Sequence, residues 1–238
     1  MSKKTWIIFV VIVIGLLVTL VLVSRNSNPA IDTSKIDPNK VQPASAANGD
    51  IADHVLGKAD SKVLLIEYGD FQCPGCGSAH PRIKAIAEAY QNQIGFVFRN
   101  FPLTTIHPNA RAAAGSAEAA GLMGKYWEMH NALYENQKAW SNLTGDDRAN
   151  AFAEYAGNIG LNRSEFTTNL SDNRINQKIS FDQAIGKSIN VDSTPTFYLN
   201  GVKLDTATWG SESKLVEAIN TELQKAGITP PAYTPSGK

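Results

Sequence analysis

The cysteines of this chain, Cys73 and Cys76, could carry out thiol chemistry because only two residues separate them and the chain holds no others. They follow an apolar run, residues 63–68, that predicts a buried strand, and a helical pattern begins at Cys73. A thiol at the first turn of a helix is favoured as thiolate, since unpaired N–H groups and the helix dipole stabilise an anion. Three residues later, Cys76 lies on the same helix face within disulfide reach. The pair therefore predicts a dithiol that cycles with a disulfide, in which Cys73 attacks and Cys76 resolves.

The two residues between the cysteines fit this chemistry. Pro74 lacks a backbone N–H, which is tolerable in the first turn of a helix. Gly75 adds no side chain that would crowd a substrate. We expect both residues to lie where a substrate meets the dithiol.

Other interpretations of the cysteines stay open. Zinc would find three ligands in Cys73, Cys76 and His80, but no second CxxC or HxxxH motif completes a tetrahedral site. A structural disulfide is a poor alternative, because so small a ring constrains the unfolded chain little. Two inert buried thiols do not fit an oxidising compartment. We therefore expect no metal and no other cofactor.

A single acidic residue, Glu67, interrupts the apolar strand six residues before Cys73. Strand alternation places Glu67 on one face with Val63 and Leu65, beneath the helix that carries the cysteines. A buried carboxyl has a raised pKa and can move protons near neutral pH, which suits deprotonation of Cys76. The alternative is a solvent-facing glutamate on an edge strand.

A proline follows Thr194 just before a predicted hairpin. The Thr194–Pro195 bond could be cis, because an X–Pro bond loses little free energy in that form. The backbone of Thr194 could then pair with an extended substrate strand. Without the nearby dithiol motif, Pro195 would be an ordinary turn proline. Phe71 is a further candidate for lining a peptide groove, although scattered aromatic residues are more often part of a core.

Near the N-terminus, residues 6–23 are uncharged and almost wholly apolar. Eighteen helical residues span about 27 Å, close to the thickness of a hydrocarbon core. Lys3 and Lys4 precede the run, so the positive-inside rule predicts a single-pass anchor in the cell membrane with the remaining chain outside the cytoplasm. The alternative is a cleaved signal peptide, but the residues after the run form a poor cleavage site.

The rest of the chain divides by composition. Lys plus Arg and Asp plus Glu both total 22, and no basic stripe indicates nucleic acid. Four segments are predicted, namely a cytoplasmic tip and transmembrane anchor (1–24), a flexible linker (25–50), a catalytic domain (51–227) and a disordered tail (228–238).

The element order within the domain predicts an α/β fold. A strand, the dithiol helix and a second strand are followed by a helical block at about residues 105–190, a hairpin and a closing helix. Asn200 and Gly201 mark the hairpin turn, because both central residues of such a turn need a positive φ.

These features together resemble the thioredoxin superfamily, and within it the DsbA-like branch. The resemblance covers roughly residues 50–227 and is carried by Glu67, residues 71–76, Pro81, Thr194–Pro195 and Asn200–Gly201. It implies a thioredoxin-like fold with an inserted helical subdomain, preceded here by one N-terminal transmembrane helix. It also implies Cys73 as nucleophile, Cys76 as resolver, Glu67 as buried acid and a cis Thr194–Pro195 loop that binds substrate.

The function implied is that of a protein-disulfide oxidoreductase. Residues 98–103 and 124–130 are similar to membrane-anchored members of Gram-positive type. Such a protein forms disulfides in reduced exported proteins and is reoxidised by a membrane redox partner, and we expect a monomer. Well-known oxidases of this branch carry His where this chain has Gly75. A reductase or isomerase of the same fold, or a metal- or peptide-binding module without turnover, therefore stays open.

Overall fold

The structure, a computed structural model, describes residues 2–26 and 31–233, apart from the side chains of residues 20–26. It divides into two units, Met1–Asp32 and Thr33–Lys238. The first unit contains helix α1, Lys3–Asn26. Within the part of the chain that the structure describes, no helix combines the length and the hydropathy that a membrane crossing requires. The side chains of residues 20–23, the end of the predicted span, lie outside the described residues.

A mixed five-stranded sheet is the centre of the second unit. Its strands are β1 (Val55–Gly57), β2 (Leu64–Gly69), β3 (Gly95–Asn100), β4 (Thr196–Leu199) and β5 (Val202–Lys203). The order across the sheet is β1-β3-β2-β4-β5, with β2 and β3 parallel and the other neighbours antiparallel. β2 is central and all six of its residues are buried. The hairpin between β4 and β5 turns at Asn200 and Gly201, whose φ angles of 48° and 83° are both positive as predicted.

Helices cover both faces of this sheet. In chain order they are α2 (Pro74–Ala89), α3 (Ala110–Leu122), α4 (Tyr126–Glu135), α5 (Gln137–Trp140), α6 (Gly145–Asn158), α7 (Arg163–Asn169), α8 (Asn173–Ser188), α9 (Thr206–Trp209) and α10 (Glu212–Lys225). Apolar residues of α2 and α10 pack with Leu65, Phe96 and Phe197 of one face. α8 approaches the other face closely, since a side chain at Gly186 would collide with Tyr68 and Phe101.

Helices α3 to α8 all lie between β3 and β4, where the sequence predicts the helical block. They share a second apolar core with Phe98 of the sheet and with both cysteines. The first two helices of this block, α3 and α4, are separate in the structure. Gly124 between α3 and α4 has a φ of 76°, a conformation that glycine adopts without steric cost. The dithiol therefore lies where the sheet and the inserted helices meet.

The predicted flexible linker over residues 25–50 is wrong for residues 33–50. These residues belong to the second unit and include a short 3-10 helix, Ala46–Asn48. The buried guanidinium of Arg99 donates to the carbonyls of Pro38 and Lys40, both at 2.6 Å. A polar composition indicates few apolar contacts, but it does not reveal that a buried arginine takes its acceptors from this segment. Residues 27–30 lie outside the described residues.

The predicted disordered tail over residues 228–238 is also wrong in part. The Tyr233 hydroxyl donates to the Glu212 carboxylate, and its ring packs edge-on against Tyr90 with centroids 5.7 Å apart. An aromatic contact and a hydrogen bond thus attach residues 228–233 to the domain. Residues 234–238 lie outside the described residues.

Candidate functional site

Cys73 is the N-cap of α2, with Pro74 at the first helical position. Its backbone N–H donates to the Asp70 carbonyl at 3.0 Å, and its carbonyl accepts from the Gly77 N–H at 3.0 Å. In its thiol form, Cys73 donates from Sγ to the Thr194 carbonyl at 3.3 Å. The first cysteine is therefore fixed between the start of the helix and the loop before β4.

The environment of the first sulfur favours the thiolate. The pKa of Cys73 is lowered to about 5, mainly by a hydrogen bond from the Cys76 thiol and in spite of burial. A hydrogen bond with Thr194 and the backbone N–H groups of Cys76 and Gly75 also lower it. Cys73 is buried, although its exposed fraction of 8% is larger than that of Cys76. At neutral pH a reduced Cys73 is a thiolate, the form that takes part in exchange.

The second sulfur has the opposite environment. Cys76 is only 1% exposed, and both cysteines are free thiols here. Burial, the hydrogen bond that its thiol donates to Cys73 and the negative charge of Glu67 raise the pKa of Cys76 well above its usual value. Two thiols three residues apart thus have pKa values shifted in opposite directions, which distinguishes an acidic nucleophile from a partner that keeps its proton.

Glu67 lies in the middle of β2, between Phe98 of β3 and Phe197 of β4. It is buried, and among the described residues no hydrogen bond or ion pair to its carboxyl is found. Burial, with a smaller effect of the Cys73 charge, raises the pKa of Glu67 to about 8. This carboxyl is therefore mostly protonated at neutral pH.

A cavity of about 340 Å³ adjoins Glu67. Its inner wall includes the buried imidazoles of His80 and His130, whose Nε2 atoms have no hydrogen-bond partner within the described ranges. Burial lowers the pKa of His80 to about 4 and that of His130 to about 3, so both rings are neutral at pH 7. Glu88 and Glu128 lie at the exposed rim. Because buried polar groups are nearly always hydrogen-bonded, such a cavity is suited to ordered water.

The predicted substrate loop faces the dithiol. The Thr194–Pro195 peptide is cis, and both residues are half-buried. A Cβ atom added to Gly75 would lie 3.3 Å from Pro195 Cδ and 3.6 Å from Cys73 Sγ. Pro74 and Gly75 are exposed beside this loop. The structure thus brings together four predicted contact residues and the nucleophile.

Phe71 is different, and its prediction as a substrate-binding residue is wrong. Its side chain is 1% exposed and packs against Phe98 and Tyr134, with ring centroids 4.9 Å away in each case. The apolar core between the sheet and the inserted helices takes up this ring. Sequence alone could not separate the two roles, because an aromatic residue beside an active-site motif suits either.

Sequence reasoning missed Gln137, the first residue of α5. Its Nε2 donates to the carbonyls of Phe71 and Cys73, both at 2.8 Å. A groove of about 930 Å³ lies here, between Pro74 and Gly77 of α2 and residues 134–142. A glutamine far along the chain carries no signal of such a contact. Across the described part of the chain, no group of three or more His, Cys, Asp or Glu side chains is placed to hold a metal ion.

A sheet of this order, with a dithiol at the start of the helix that follows its central strand, defines the thioredoxin-like fold. The chain belongs to the thioredoxin family, whose model matches residues 50–221, well over half of the chain. This confirms the family predicted from the sequence.

Solved structures agree with the DsbA-like resemblance at the level of the fold. BdbD from Bacillus subtilis, in its oxidised form, is 22% identical, with a TM-score of 0.63 over 78% of this chain and 98% of that one. MdbA from Corynebacterium diphtheriae, described as a thiol-disulfide oxidoreductase, is 21% identical, with a TM-score of 0.58 over 79% of this chain and 98% of that one. At this identity the likeness shows a common fold.

Curated relatives match a shorter stretch. A protein of Salinispora arenicola named Na(+)/H(+) antiporter NhaA 1 is 39% identical over 149 residues, 63% of this chain and 22% of that protein. A protein of the same name from Mycolicibacterium vanbaalenii is 32% identical over 171 residues, 70% of this chain and 26% of its own length. The chain thus spans about a quarter of the length of these relatives.

Proposed function

We propose that this chain is an extracytoplasmic protein-disulfide oxidoreductase that forms disulfides in exported proteins. The observation that carries the proposal is the opposite displacement of the two thiol pKa values, to about 5 for Cys73 and well above the usual value for Cys76. A stabilised thiolate stabilises the reduced form, and a stable reduced form makes the disulfide a stronger oxidant.

The reaction begins on the Cys73–Cys76 disulfide. A substrate thiolate attacks Cys73 Sγ, the S–S bond breaks, and Cys76 leaves as a thiolate. Because the pKa of Cys76 is high, this sulfur takes up a proton, and Glu67 is the acid placed to give it. The cavity beside Glu67 is large enough to admit water, through which this carboxyl would regain its proton from solvent.

The second half-reaction releases the substrate. A second substrate thiolate attacks the substrate sulfur of the mixed disulfide, and Cys73 leaves as a thiolate. Its pKa of about 5 makes it a good leaving group. Two electrons have then passed from the substrate to the dithiol, and a membrane redox partner accepts them to restore the disulfide.

Substrate binding is proposed at the cis-proline loop. The Thr194 carbonyl lies 3.3 Å from Cys73 Sγ, the sulfur on which a mixed disulfide forms. Gly75 lies next to both Pro195 and Cys73 Sγ, and the neighbouring Pro74 lines the 930 Å³ groove. An extended peptide with a cysteine could therefore pair with the loop while its sulfur reaches Cys73.

The membrane location is also a proposal, together with action as a monomer. Its support comes from the sequence alone, in the uncharged run of residues 6–23 that follows Lys3 and Lys4. No helix among the described residues meets the requirement for a membrane span. Protease treatment of intact cells that express the full chain tests it. We expect added protease to cleave the domain from outside while residues 6–23 remain in the membrane fraction, whereas release of the domain from cells without protease would contradict an anchor.

Cysteine variants test the function. We expect Cys73→Ala to abolish oxidation of a reduced unfolded protein, because the nucleophilic sulfur is absent. Cys76→Ala, with Cys73 first converted to a mixed disulfide with glutathione, should instead exchange glutathione for a substrate thiol and accumulate a protein mixed disulfide, seen by non-reducing electrophoresis. If Cys73→Ala kept wild-type activity, the proposal would fail.

The reduction potential distinguishes an oxidase from a reductase of the same fold. Equilibration with glutathione should give a value above about −180 mV, towards the strong oxidants of this fold. A value near about −270 mV, typical of a cytosolic reductant, would contradict the oxidase direction.

A further inference from the structure

We infer that Gln137 is a positioning residue that holds the Cys73 peptide unit in place beside the nucleophilic sulfur. The inference deepens the proposed function, because it concerns the same dithiol. It begins with the two hydrogen bonds of 2.8 Å from Gln137 Nε2 to the carbonyls of Phe71 and Cys73. The side-chain amide of Gln137 thus donates to the carbonyls of the two residues that flank Gln72.

The bond to Cys73 meets the part of the backbone that sets the sulfur position. Cys73 is the N-cap of α2, with φ −67° and ψ 122°, and its carbonyl accepts the first helical N–H from Gly77. The N–H groups of Gly75 and Cys76 act on the thiolate from the same turn. A second donor on the Cys73 carbonyl fixes the orientation of this peptide unit and withdraws negative charge beside the sulfur.

Gly77 makes this contact possible. A Cβ atom added at Gly77 would lie 2.3 Å from Gln137 Oε1, a separation that packed atoms do not adopt. The Gln137 amide therefore occupies the space that a side chain at position 77 would fill. Since Gln137 begins α5, this amide joins the inserted helices to the active-site turn.

A second glutamine makes the same junction from the other side. Gln72 Nε2 donates to the Ser141 carbonyl at 2.8 Å, and its Oε1 accepts from the Asn109 N–H at 2.6 Å. These bonds hold the loop in place as a whole. Gln137 differs in binding the carbonyl of the nucleophile itself, so its loss acts on the Cys73 sulfur through one peptide unit.

The test compares three substitutions in the full chain. Gln137→Met keeps the length of the side chain and removes the amide. Gly77→Ala keeps the amide but displaces it, and alanine suits a helix better than glycine does. Gln183→Met is the matched control, because Gln183 Nε2 donates to the Pro102 carbonyl at 3.0 Å, away from the dithiol.

The readouts are the Cys73 pKa, from thiolate absorbance near 240 nm, and the equilibrium constant with glutathione. We expect Gln137→Met and Gly77→Ala each to lower the thiolate-to-thiol ratio at a fixed pH about threefold to tenfold, the size of one net hydrogen bond. The equilibrium should shift towards the disulfide by a similar factor. Combining the two changes should add little, because both remove the same contact.

Several results would overturn the inference. One is a change below twofold in Gln137→Met, and another is an equal shift in Gln183→Met. A shift in Gln137→Met that Gly77→Ala does not reproduce would also count against it. These readouts need no protein substrate, so a wild-type chain that fails to oxidise proteins would refute the proposed function and leave this comparison intact. Thermal unfolding of each variant separates lost folding from a shifted pKa.

Discussion

The two faces of the central sheet both bury ionisable groups, and they do so in opposite ways. Glu67 and Tyr68 are neighbours in β2, so their side chains point to opposite faces. On the Glu67 face, the described residues offer the carboxyl no ion pair, and burial raises its pKa to about 8. On the Tyr68 face, a cluster of buried charges is fully paired.

The paired cluster is built around Asp53. Arg99 Nη2 donates to Asp53 Oδ2 at 2.9 Å, and Lys178 Nζ donates to Asp53 Oδ1 at 2.8 Å. Although burial opposes ionisation, the charges of Lys178 and Arg99 hold the pKa of Asp53 well below its usual value. Lys178 is also 2.6 Å from Asp182. Burial and the neighbouring carboxylates still raise the pKa of Asp182 to about 6, because one ammonium serves two carboxylates.

Buried carboxyl groups have two uses in this protein. A carboxyl with two cationic partners stays ionised and joins distant segments, here residues 33–53, β3 and α8. A carboxyl without such partners keeps its proton near neutral pH and can release it during a reaction. Burial is similar on both faces of the sheet. The presence or absence of cationic partners therefore decides whether a buried carboxyl stabilises the fold or is available for proton transfer.

The largest expected effect comes from removing a partner on the paired face. Lys178→Met leaves Asp53 and Asp182 without their shared cation, and we expect it to lower the free energy of unfolding by about 3–5 kcal/mol. Urea unfolding at pH 7 measures this. Lys125→Met is the control, because Lys125 pairs with Glu128 in an exposed position and its loss should change little. Equal effects of the two variants would contradict the comparison.

Glu67→Gln tests the unpaired face through the pH dependence of stability. A carboxyl with a usual pKa of 4.5 and a folded pKa of about 8 is protonated only in the folded state between these values. Its contribution to stability is therefore fully present below about pH 4.5 and is lost as pH rises through 8. Between these two pH values, the free energy of unfolding of the variant should rise relative to that of the wild type by about 1.4 kcal/mol for each pH unit.

Urea unfolding of the reduced proteins at pH 5.5 and 7.5 gives this difference. Because its pKa is lowered, Cys73 adds stability as the pH rises. This contribution is present in both proteins, so it cancels when their free energies of unfolding are subtracted. Parallel pH profiles for the variant and the wild type would show that Glu67 is ionised in the folded state. The buried carboxyl groups on the two faces of the sheet would then no longer differ in ionisation.

A smaller effect is expected from Tyr68→Phe. The Tyr68 hydroxyl accepts from Arg99 Nη1 at 2.8 Å in the buried cluster, and its loss should lower the free energy of unfolding by about 1–2 kcal/mol. Tyr198→Phe is the matched control, since the Tyr198 hydroxyl donates to the Ile189 carbonyl at a longer 3.3 Å. A larger loss in the control would show that hydrogen bonding to Arg99 adds little to the cluster.

Much of the site could be predicted because its signals are local. The CxxC spacing, the helix start at Cys73 and the alternation around Glu67 each depend on residues within one turn or one strand. The Thr194–Pro195 loop required more, because only the resemblance to the family indicated that it faces the dithiol. Phe71 was misplaced, since its role depends on which inserted helices pack against it.

The sequence by itself determined the chemistry available to this protein, through two cysteines at the start of an amphipathic helix and one acid in an apolar strand. The tertiary structure alone decided which groups surround them. Asp53 and Lys178 are 125 residues apart, and Gln137 is 64 residues from Cys73. Such contacts arise when the sheet and the inserted helices pack, and no local pattern of polar residues encodes them, because a polar side chain satisfies local turn, cap and solvent positions equally well.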